Sequence, residues 1–504
     1  MVNGMVGWRG GMGAEEPTKE RMSGGELCVT TGNPSLGRLP LSCWSDRPLV
    51  AHSHDPLLPG LLSMPLNMRL HPLWAAVGLF LSAFPLFYLL NTIAALQSPL
   101  MTAVLGIIIL SPLFVLIYLP NRSYEDPLLY VFMVLCFIAG TDAVITLEKD
   151  GYISHFADFY IREGELYLGT AYGIMISYWH AAVNFAMYLV MIAAIVQRKS
   201  YRTVGLYWTG SFIMTLVVFL LGNVIGKYSS EIRPTFLLNL LYLIIPIWAA
   251  KTFFAQPKTC PLPTADQVAE EQKKNLLQRR MDLGLVGFLL LAVVYTLFRG
   301  LVVLDCRADS CFDYVYQQEP YLRDPVAYPK IQMLVYLFYV LPYFCICIYG
   351  LHVPGCTWMG DWALVFAGAI GQAQFSHIAA SIHHRTPFPY RIPERDWWFV
   401  VLCNVAYAVG PQLLAYRCLY KPAFFCSPVS QSKDKKNHLL TKTLKRSYQH
   451  RAAKLKKKKR KKERKRKERE RKKEGRKEGR KKERERKKER KKERKKERLQ
   501  TLPK

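Results

Sequence analysis

The feature that most constrains this chain is a series of ten apolar segments, each of about 20 residues, that begins near residue 73. An α-helix rises 1.5 Å per residue, so a segment of this length crosses a hydrocarbon core of ~30 Å. The sequence therefore predicts an all-α polytopic membrane helix bundle with about ten transmembrane helices. The predicted spans are residues 73–96, 100–119, 127–147, 174–196, 203–225, 235–254, 283–304, 331–350, 362–382 and 397–416.

The strong positive charge of the chain belongs to its C-terminal tail. Residues 431–504 contain 40 Lys and Arg against 11 Asp and Glu, which is +29 of the total net charge of +31. The rest of the chain is close to neutral, so its charge does not indicate nucleic-acid binding. The tail is predicted to be a low-complexity appendage without a specific ligand. The alternative is non-specific adsorption to anionic lipid or RNA, which requires only charge density.

The apolar region contains an internal repeat, because the same landmarks occur twice in the same order and with nearly the same spacing. Two copies of a four-helix unit, preceded by two leading helices, account for the ten predicted spans. Tandem copies of this kind place a binding site in each copy or between them. The first series of landmarks is Glu165, Tyr167, Leu168, Ala171, Tyr172, Trp208 and Asn223, and the second is Glu319, Tyr321, Leu322, Ala327, Tyr328, Trp362 and His377.

The orientation of the bundle follows from the loops, since short loops rich in Lys and Arg remain in the cytosol. The most basic loops follow the fourth and sixth predicted spans, and the basic tail follows the tenth, so both termini are predicted to be cytosolic. In this topology Cys306 and Cys311 face an oxidising lumen, where they are a candidate disulfide. Two free thiols are the alternative.

Polar side chains at membrane depth are the candidate binding residues, because each costs a few kcal/mol unless it is paired or faces a cavity. Gln374 and His377 share one face of the ninth predicted span, and His180 and Asn184 share one face of the fourth. These groups either line a lipid-binding cavity or hold the helices together by hydrogen bonds. The candidate set is Asp142, Trp179, His180, Asn184, Trp208, Asn223, Trp362, Gln374 and His377.

Charged groups at the membrane boundary are interpreted as structural. Lys227 and Glu231, four residues apart, are predicted to form a charge network with Arg233. His383 and His384 are interpreted as interfacial, because no third metal ligand is in view. No motif for a nucleotide, a metal or a catalytic nucleophile occurs in a usable context, so we predict no cofactor, no metal and no catalytic residue.

Several blocks of the chain closely resemble one family of membrane proteins. They include "EGELYLGTAYG", "LGNVIGKYSSEIRP", "EPYLRDPVAYPKIQML", "PGCTWMGDWALVFAG" and "GQAQFSHIAASIHHRTPF". Over about residues 70–425 the chain resembles the transmembrane 6 superfamily, and "KYSSEIRP" and "DWALVFAG" are most similar to its member 2 branch. The resemblance implies ten spans with two EXPERA domains, the module shared with the sterol Δ8–Δ7 isomerase called emopamil-binding protein and with a sigma receptor.

With this resemblance the chain is predicted to have six parts. Residues 1–65, rich in Gly, Pro and Ser, form a disordered extension. The other parts are two leading transmembrane helices (66–124), a first EXPERA-type domain (125–255), a cytosolic linker (256–280), a second EXPERA-type domain (281–420) and the basic Lys/Arg/Glu-rich tail (421–504).

The resemblance also implies a role in lipid metabolism. Member 2 of the family is associated with the membranes of the endoplasmic reticulum and of the compartment between it and the Golgi, where it supports the loading and secretion of triglyceride-rich lipoproteins and influences lipid-droplet content. We therefore predict that the chain binds a sterol, a triglyceride or another membrane lipid in its EXPERA bundles, and that lipoprotein-assembly proteins are its partners.

Catalysis does not follow from the resemblance. The isomerase uses a His and a Glu four residues apart on an early helix, whereas the third span here has Asp142 and Glu148 and no histidine. The fourth span of the family usually has Tyr-Trp-Asp with a His four residues after the Asp, where this chain has His180 and Asn184. A neutral amide cannot exchange a proton near pH 7, which weakens the enzyme hypothesis. The alternatives are therefore a sterol isomerase-like enzyme and a lipid transporter or scramblase.

Overall fold

The computed structural model describes residues 66–96, 108, 111–113, 115, 117, 124–232, 236–258, 263–427 and 486–492. These described residues form helices, turns and loops, with no β-strand among them, which confirms the predicted all-α class. Some predictions fall outside the described residues. They concern the extension 1–65, most of the span 100–119, most of the tail 421–504, and Arg233.

The structure contains fourteen α-helices of five residues or more among the elements described. Two π-helical turns, His180–Asn184 and Tyr336–Val340, join α4 to α5 and α11 to α12 as continuous helices. The helices are α1 (Leu66–Leu96), α2 (Pro127–Lys149), α3 (Asp158–Glu163), α4 (Ala171–Trp179), α5 (Phe185–Val196), α6 (Arg202–Ile225), α7 (Phe236–Ala255), α8 (Ala265–Lys273), α9 (Arg280–Val303), α10 (Asp309–Asp313), α11 (Tyr328–Val335), α12 (Leu341–His352), α13 (Met359–Ile382) and α14 (Trp397–Tyr420).

Eight helices in the described part of the chain are long and apolar enough to cross a membrane, and each coincides with a predicted span. The sixth predicted span coincides with α7, whose apolar part is the shorter Tyr242–Ala255. A multi-pass helix bundle is therefore confirmed, and about ten helices is consistent with it. The eight are Pro72–Ile93, Pro127–Lys149, Ala171–Val196, Arg202–Ile225, Arg280–Val303, Tyr328–His352, Met359–Ile382 and Trp397–Tyr420.

Local sequence determines where several of these helices begin. The Asp126 carboxylate accepts a hydrogen bond from the backbone N–H of Leu128 at 3.0 Å, and Pro127 occupies the first turn of α2, where a missing N–H costs nothing. Thr170 caps α4 by accepting from the backbone N–H of Gly173 at 3.0 Å. These caps determine where α2 and α4 begin, and both helices carry polar groups of the candidate site described below.

The two halves of the bundle contain the same elements in the same order. In the first half, α2 is followed by α3, a 3-10 turn (Leu166–Gly169), the α4–π–α5 helix, α6 and α7. In the second half, α9 is followed by α10, a further π-helical turn (Tyr314–Gln318), a 3-10 turn (Pro320–Arg323), the α11–π–α12 helix, α13 and α14. The π-helical turns His180–Asn184 and Tyr336–Val340 begin eight residues after the repeated tyrosines Tyr172 and Tyr328. The structure therefore confirms the internal repeat.

The two repeats meet where α6 crosses α13, the most extensive helix contact among the described residues. A Cβ atom on Gly210 would overlap the carbonyl group of Val365, and one on Gly368 would overlap the carbonyl group of Tyr207. Gly368 lies 158 residues after Gly210, and Val365 lies 158 residues after Tyr207. The contact is therefore reciprocal, as a two-fold relation between the repeats requires.

This reciprocity corrects one detail of the predicted repeat. Trp208 and Trp362 are 154 residues apart, so the sequence alignment of these two landmarks is four residues out of register with the helix crossing. The connection that precedes α13 (353–358) is one residue longer than the one that precedes α6 (197–201), so it accounts for only part of this shift. The repeated tyrosines remain equivalent, because Tyr172 and Tyr328 stack on each other with ring centroids 4.6 Å apart.

The crossing predicts a strong effect of added volume at a repeat glycine. We expect Gly368→Val to lower the thermal stability of the detergent-purified protein by about 1–3 kcal/mol or more, because the new side chain meets backbone that cannot move aside. Gly287→Val is the matched control, since a Cβ there meets nothing within 4 Å. Equal melting temperatures for the two variants would contradict the close contact.

Candidate functional site

A cavity of about 460 Å³ lies in the first repeat. Its wall is mostly apolar and is formed by α1, α2, α4, α6 and α7, together with Leu113 and Ile117 of the second predicted span. Among the described lining residues there is no Lys or Arg. The polar lining residues are Thr141, Asp142, Tyr160, Glu165, Ser177, His180, Asn184, Thr215, Asn239 and Tyr242.

An acid and an imidazole form a close pair in this wall. The Nδ1 atom of His180 lies 2.5 Å from Oδ2 of Asp142, and its Nε2 atom lies 2.9 Å from the hydroxyl oxygen of Tyr188. Trp208 Nε1 donates to the same hydroxyl oxygen at 3.1 Å, so the Tyr188 hydroxyl hydrogen is free to point at His180. The two contacts therefore occupy both ring nitrogens of His180 and fix the orientation of its imidazole.

The π-helical turn explains how His180 reaches Asp142. The wider turn His180–Asn184 lies in the middle of a membrane-spanning helix, and π-helical turns of this kind are frequent at functional sites. His180 and Asn184 both line the cavity, while Asp142 comes from α2, 38 residues earlier. The sequence analysis compared His180 with Asn184 of the same span, from which no acid–base pair can be assembled. The fold instead assembles one from Asp142 and His180.

A second carboxylate, Glu165, lies in the same cavity and has only neutral hydrogen-bond partners. Asn239 donates to it at 2.6 Å, and the hydroxyls of Tyr160 and Tyr167 donate at 3.1 Å each. Burial raises the pKa of Glu165 above its ordinary value, and these donors offset the effect only in part. The cavity therefore contains an acid that is poised to hold a proton more readily than a solvent-exposed glutamate.

The leading helix α1 forms part of the site. Leu79, Phe87 and Leu90 of α1 line the cavity. Asn91 Oδ1 accepts hydrogen bonds from the backbone N–H groups of Phe159 and Tyr160, at 3.1 Å and 3.2 Å. The leading helices were predicted as a part separate from the first EXPERA-type domain, yet α1 both closes the cavity and holds the turn that carries Tyr160.

The equivalent place in the second repeat is filled by a buried charge cluster. Arg299 Nη2 donates to Oε1 of Glu319 at 2.6 Å, and His377 Nε2 lies 2.7 Å from the same oxygen. The Tyr314 hydroxyl donates to the other carboxylate oxygen at 2.6 Å, and Asn404 accepts from Arg299 at 3.0 Å. Burial alone would raise the pKa of Glu319, but the Arg299 guanidinium together with the bonds from His377 and Tyr314 outweighs burial and holds this pKa at about 2.

The repeat shows why one half is open and the other is filled. A tyrosine five residues before the glutamate bonds to it in both copies, as Tyr160 to Glu165 and Tyr314 to Glu319. Arg299 precedes Glu319 by 20 residues, and the residue 20 before Glu165 is Ile145, which lines the cavity. At the 158-residue offset of the crossing helices, His377 corresponds to Phe219, another lining residue. The guanidinium and imidazole of the second repeat therefore stand where the first has apolar wall.

Three of the nine predicted binding residues line the cavity, namely Asp142, His180 and Asn184. Trp179 and Trp208 are buried behind it, where their indole N–H groups donate to Ser211 at 2.8 Å and to Tyr188 at 3.1 Å. Asn223 accepts a hydrogen bond from the Tyr328 hydroxyl of the other repeat. These three residues therefore pack or brace the wall.

The remaining predicted binding residues lie in the second repeat, away from the cavity. Trp362 is 45% exposed at the start of α13, with its ring near Phe254. His377 belongs to the Arg299 cluster, and Gln374 is buried with no hydrogen-bond partner among the described residues for either amide atom. Hydropathy identified these residues as unusual for a membrane helix, but it could not show which repeat is open.

The predicted charge network at the membrane boundary does not form between Lys227 and Glu231. No ion pair joins Lys227 to Glu231 among the described residues, because α6 ends at Ile225 and a 3-10 turn follows, so a four-residue spacing does not align the two side chains. Glu231 is instead exposed.

Cys306 and Cys311 are free thiols in hydrogen-bonding contact. This contact lowers the pKa of Cys306 and raises the pKa of Cys311 to about 11. Their disulfide stays a prediction.

Several residues of the site were missed, although a repeated motif marks them. Asn239-x-x-Tyr242-x-x-x-Pro246 in α7 recurs as Asn404-x-x-Tyr407-x-x-x-Pro411 in α14. Asn239 contacts Glu165, and Asn404 contacts Arg299 of the Glu319 cluster. Together with the tyrosine five residues before each glutamate, this motif would have pointed to both polar clusters.

The fold and the site define a multi-pass membrane protein that carries the EXPERA module. A family model described as EXPERA (expanded EBP superfamily) matches residues 309–418, and one described as transmembrane 6 superfamily member 2-like, transmembrane domain, matches residues 82–264. No solved structure matches the chain.

Sequence identity to known proteins identifies the family of this chain. Transmembrane 6 superfamily member 2 of Homo sapiens is 55% identical over 365 residues, which cover 72% of this chain and 97% of the relative. The Rattus norvegicus protein is 54% identical over 365 residues (71% and 96%), and the Mus musculus protein 54% over 351 residues (69% and 93%). The chain belongs to the transmembrane 6 superfamily, and within it to the member 2-like proteins.

The different partners of the two glutamates predict losses of different size for the same substitution. Glu319→Gln leaves the Arg299 guanidinium buried without its carboxylate, so we expect a loss of about 3–5 kcal/mol in the free energy of unfolding. Glu165→Gln retains neutral partners and should change it by less than about 1.5 kcal/mol. Thermal unfolding of the two purified variants checks this, and similar losses would refute the difference between the repeats.

Proposed function

We propose that this protein binds one neutral lipid per chain, a sterol or another lipid with a single polar end, in the cavity of the first repeat. The bound lipid connects the protein to lipid metabolism in the endoplasmic reticulum and the compartment between it and the Golgi. There the protein supports the lipid loading and secretion of lipoproteins and influences lipid-droplet content. The predicted topology, with both termini in the cytosol, belongs to this proposal.

The observation that carries the proposal is the cavity itself. A mostly apolar enclosure of about 460 Å³ with a few polar groups is typical of a small-ligand site. This volume is better suited to a sterol than to a triglyceride with three acyl chains. The family membership supports a lipid ligand, because the EXPERA module also occurs in a sterol isomerase.

The charges of the lining favour a ligand without a negative charge. Asp142 and Glu165 are the acids of the described lining, and no Lys or Arg is present to pair with a fatty-acid carboxylate. A hydroxyl group can instead donate to Asp142 or Glu165 and accept from Asn184 or Asn239. A buried carboxylate of the ligand would face two acids in a medium of low dielectric, which is unfavourable.

The second repeat explains why one ligand is expected rather than two. Arg299, Glu319 and His377 are each at most 2% exposed and bond to one another at the place that corresponds to the cavity. A ligand would have to separate these groups, and breaking a buried ion pair costs several kcal/mol. The second repeat therefore acts as a packed support for the first.

A cavity-filling pair of variants tests the site. We expect Ile138→Trp, whose indole would enter the cavity, to reduce saturable binding of a photoreactive cholesterol analogue by at least tenfold. Leu291→Trp is the matched control, because Leu291 is 73% exposed on the outer face of α9. Label on peptides of α1, α2 and α4 in the wild type supports the proposal. Equal binding by the two variants, or label confined to α9–α14, overturns it.

The Asp142–His180 pair gives a specific reason to consider a second function, sterol isomerisation. A carboxylate 2.5 Å from an imidazole in the cavity wall has the composition of a proton-exchanging pair. Deuterium incorporation from solvent into a Δ8 sterol by the wild-type protein would support this activity. Saturable sterol binding without incorporation would exclude it and leave the binding function intact.

A further inference from the structure

A third polar cluster lies at the membrane boundary, outside both repeats' glutamate sites. Asp150 follows the end of α2, and His383 and His384 follow the end of α13. The chain separation between Asp150 and His383 is 233 residues, so the fold alone brings them together. One ligand atom from each of Asp150, His383 and His384 lies within 4.8 Å of the other two.

The spacing of these atoms fits a common metal ion. His383 Nε2 is 3.2 Å from Asp150 Oδ1. Two ligands that each lie about 2.0–2.2 Å from a tetrahedral Zn²⁺ ion are separated by roughly 3.3–3.6 Å. The existing pair is therefore close to the separation that two ligands of one ion require, and the exposed His384 side chain has room to complete the set.

Surrounding bonds hold these groups in position. The Tyr178 hydroxyl donates to the other carboxylate oxygen of Asp150 at 2.7 Å, which leaves Oδ1 directed at His383. The Arg385 guanidinium donates to the Lys149 carbonyl and thereby ties the loop after α13 to the end of α2. Arg391 donates to the His384 carbonyl. A hydrogen bond to a ligating carboxylate is the usual support of a metal site.

We propose that Asp150, His383 and His384 bind one Zn²⁺ ion that joins the two repeats. Two imidazoles and one carboxylate are ligands that zinc prefers, and water would fill the fourth position. In the metal-free site the Arg385 backbone N–H donates to His383 Nδ1 at 3.3 Å, so Nε2 carries the ring proton. Binding of the ion at Nε2 moves this proton to Nδ1 and gives up the Arg385 contact. No third ligand for His383 and His384 is evident from the sequence, and the fold provides one in Asp150.

Within the part of the chain that the structure describes, the site occurs once. At the offsets of the two repeats, 154 residues for α2 and 158 for α13, the counterparts of Asp150 and His383 are Leu304 and Ile225, which offer no ligand atom. A bound ion would therefore hold the end of α2 against the end of α13 at one contact between the repeats. The proposal is independent of the lipid cavity.

Zinc stoichiometry in the purified full-length protein tests the proposal. The protein is prepared in detergent with a histidine-free tag and a Cys306→Ser substitution that removes the thiol pair, stripped with a chelator and dialysed against Zn²⁺. We expect about one Zn²⁺ per chain by elemental analysis, and at least tenfold weaker binding for Asp150→Asn and His384→Ala. His352→Ala, at an exposed histidine that ends α12, is the control and should bind like the parent.

Two further measurements separate coordination from a folding effect. His384 is exposed, so His384→Ala should keep the metal-free melting temperature of the parent but lose the increase that Zn²⁺ produces. Co²⁺ should give the visible absorption of a tetrahedral complex in the parent and in His352→Ala only. No bound Zn²⁺ in the parent, or equal binding by parent, Asp150→Asn and His384→Ala, overturns the proposal.

Discussion

The close crossing of α6 and α13 is the contact on which the rest of the bundle depends. Lipid tails are as apolar as leucine, so helices in a bilayer associate through tight packing and hydrogen bonds rather than through the hydrophobic effect. Gly210 and Gly368 bring backbone against backbone at two reciprocal points of this crossing. The stacked pair Tyr172 and Tyr328 adds a contact between equivalent residues. Because these contacts fix the interface, the helices on either side can differ in side chains without changing the architecture.

The two repeats satisfy the same buried glutamate in different ways. A carboxylate taken out of water must be neutralised by a cation, a proton or several hydrogen bonds. Arg299 and His377 do this for Glu319, and their bulk fills the interior of the second repeat. Glu165 has three neutral donors instead, and the corresponding positions carry smaller or apolar side chains, so space remains. The first repeat therefore has a cavity because Glu165 is bound by neutral donors and not by a guanidinium and an imidazole.

Hydropathy was sufficient to predict the helices and three lining residues, because length and polarity along one span are local properties, and recurring residue landmarks were sufficient to predict the repeat. It could not predict the partner of each polar group, which depends on how neighbouring helices are rotated. Asp142 and His180 belong to different helices, and the π-helical turn changes the face on which His180 lies. Glu165 and Glu319 lie in connections between spans and so escaped a search of the spans alone. The predicted pairing of Lys227 with Glu231 was wrong for a related reason. The prediction assumed that α6 continues to Glu231, whereas this helix ends at Ile225.

The lipid cavity and the cluster at the membrane boundary share the same two helices. Asp142 and Asp150 lie eight residues apart at the C-terminal end of α2, and Tyr178 and His180 lie two residues apart where α4 passes into its π-helical turn. The Tyr178–Asp150 and His180–Asp142 bonds therefore connect the same helices at two heights. Two such bonds restrict both sliding and rotation of α4 against α2, whereas one would leave rotation free. Whatever holds Asp150 in place, including a contact from α13 of the other repeat, consequently also holds the acid and the imidazole that line the cavity.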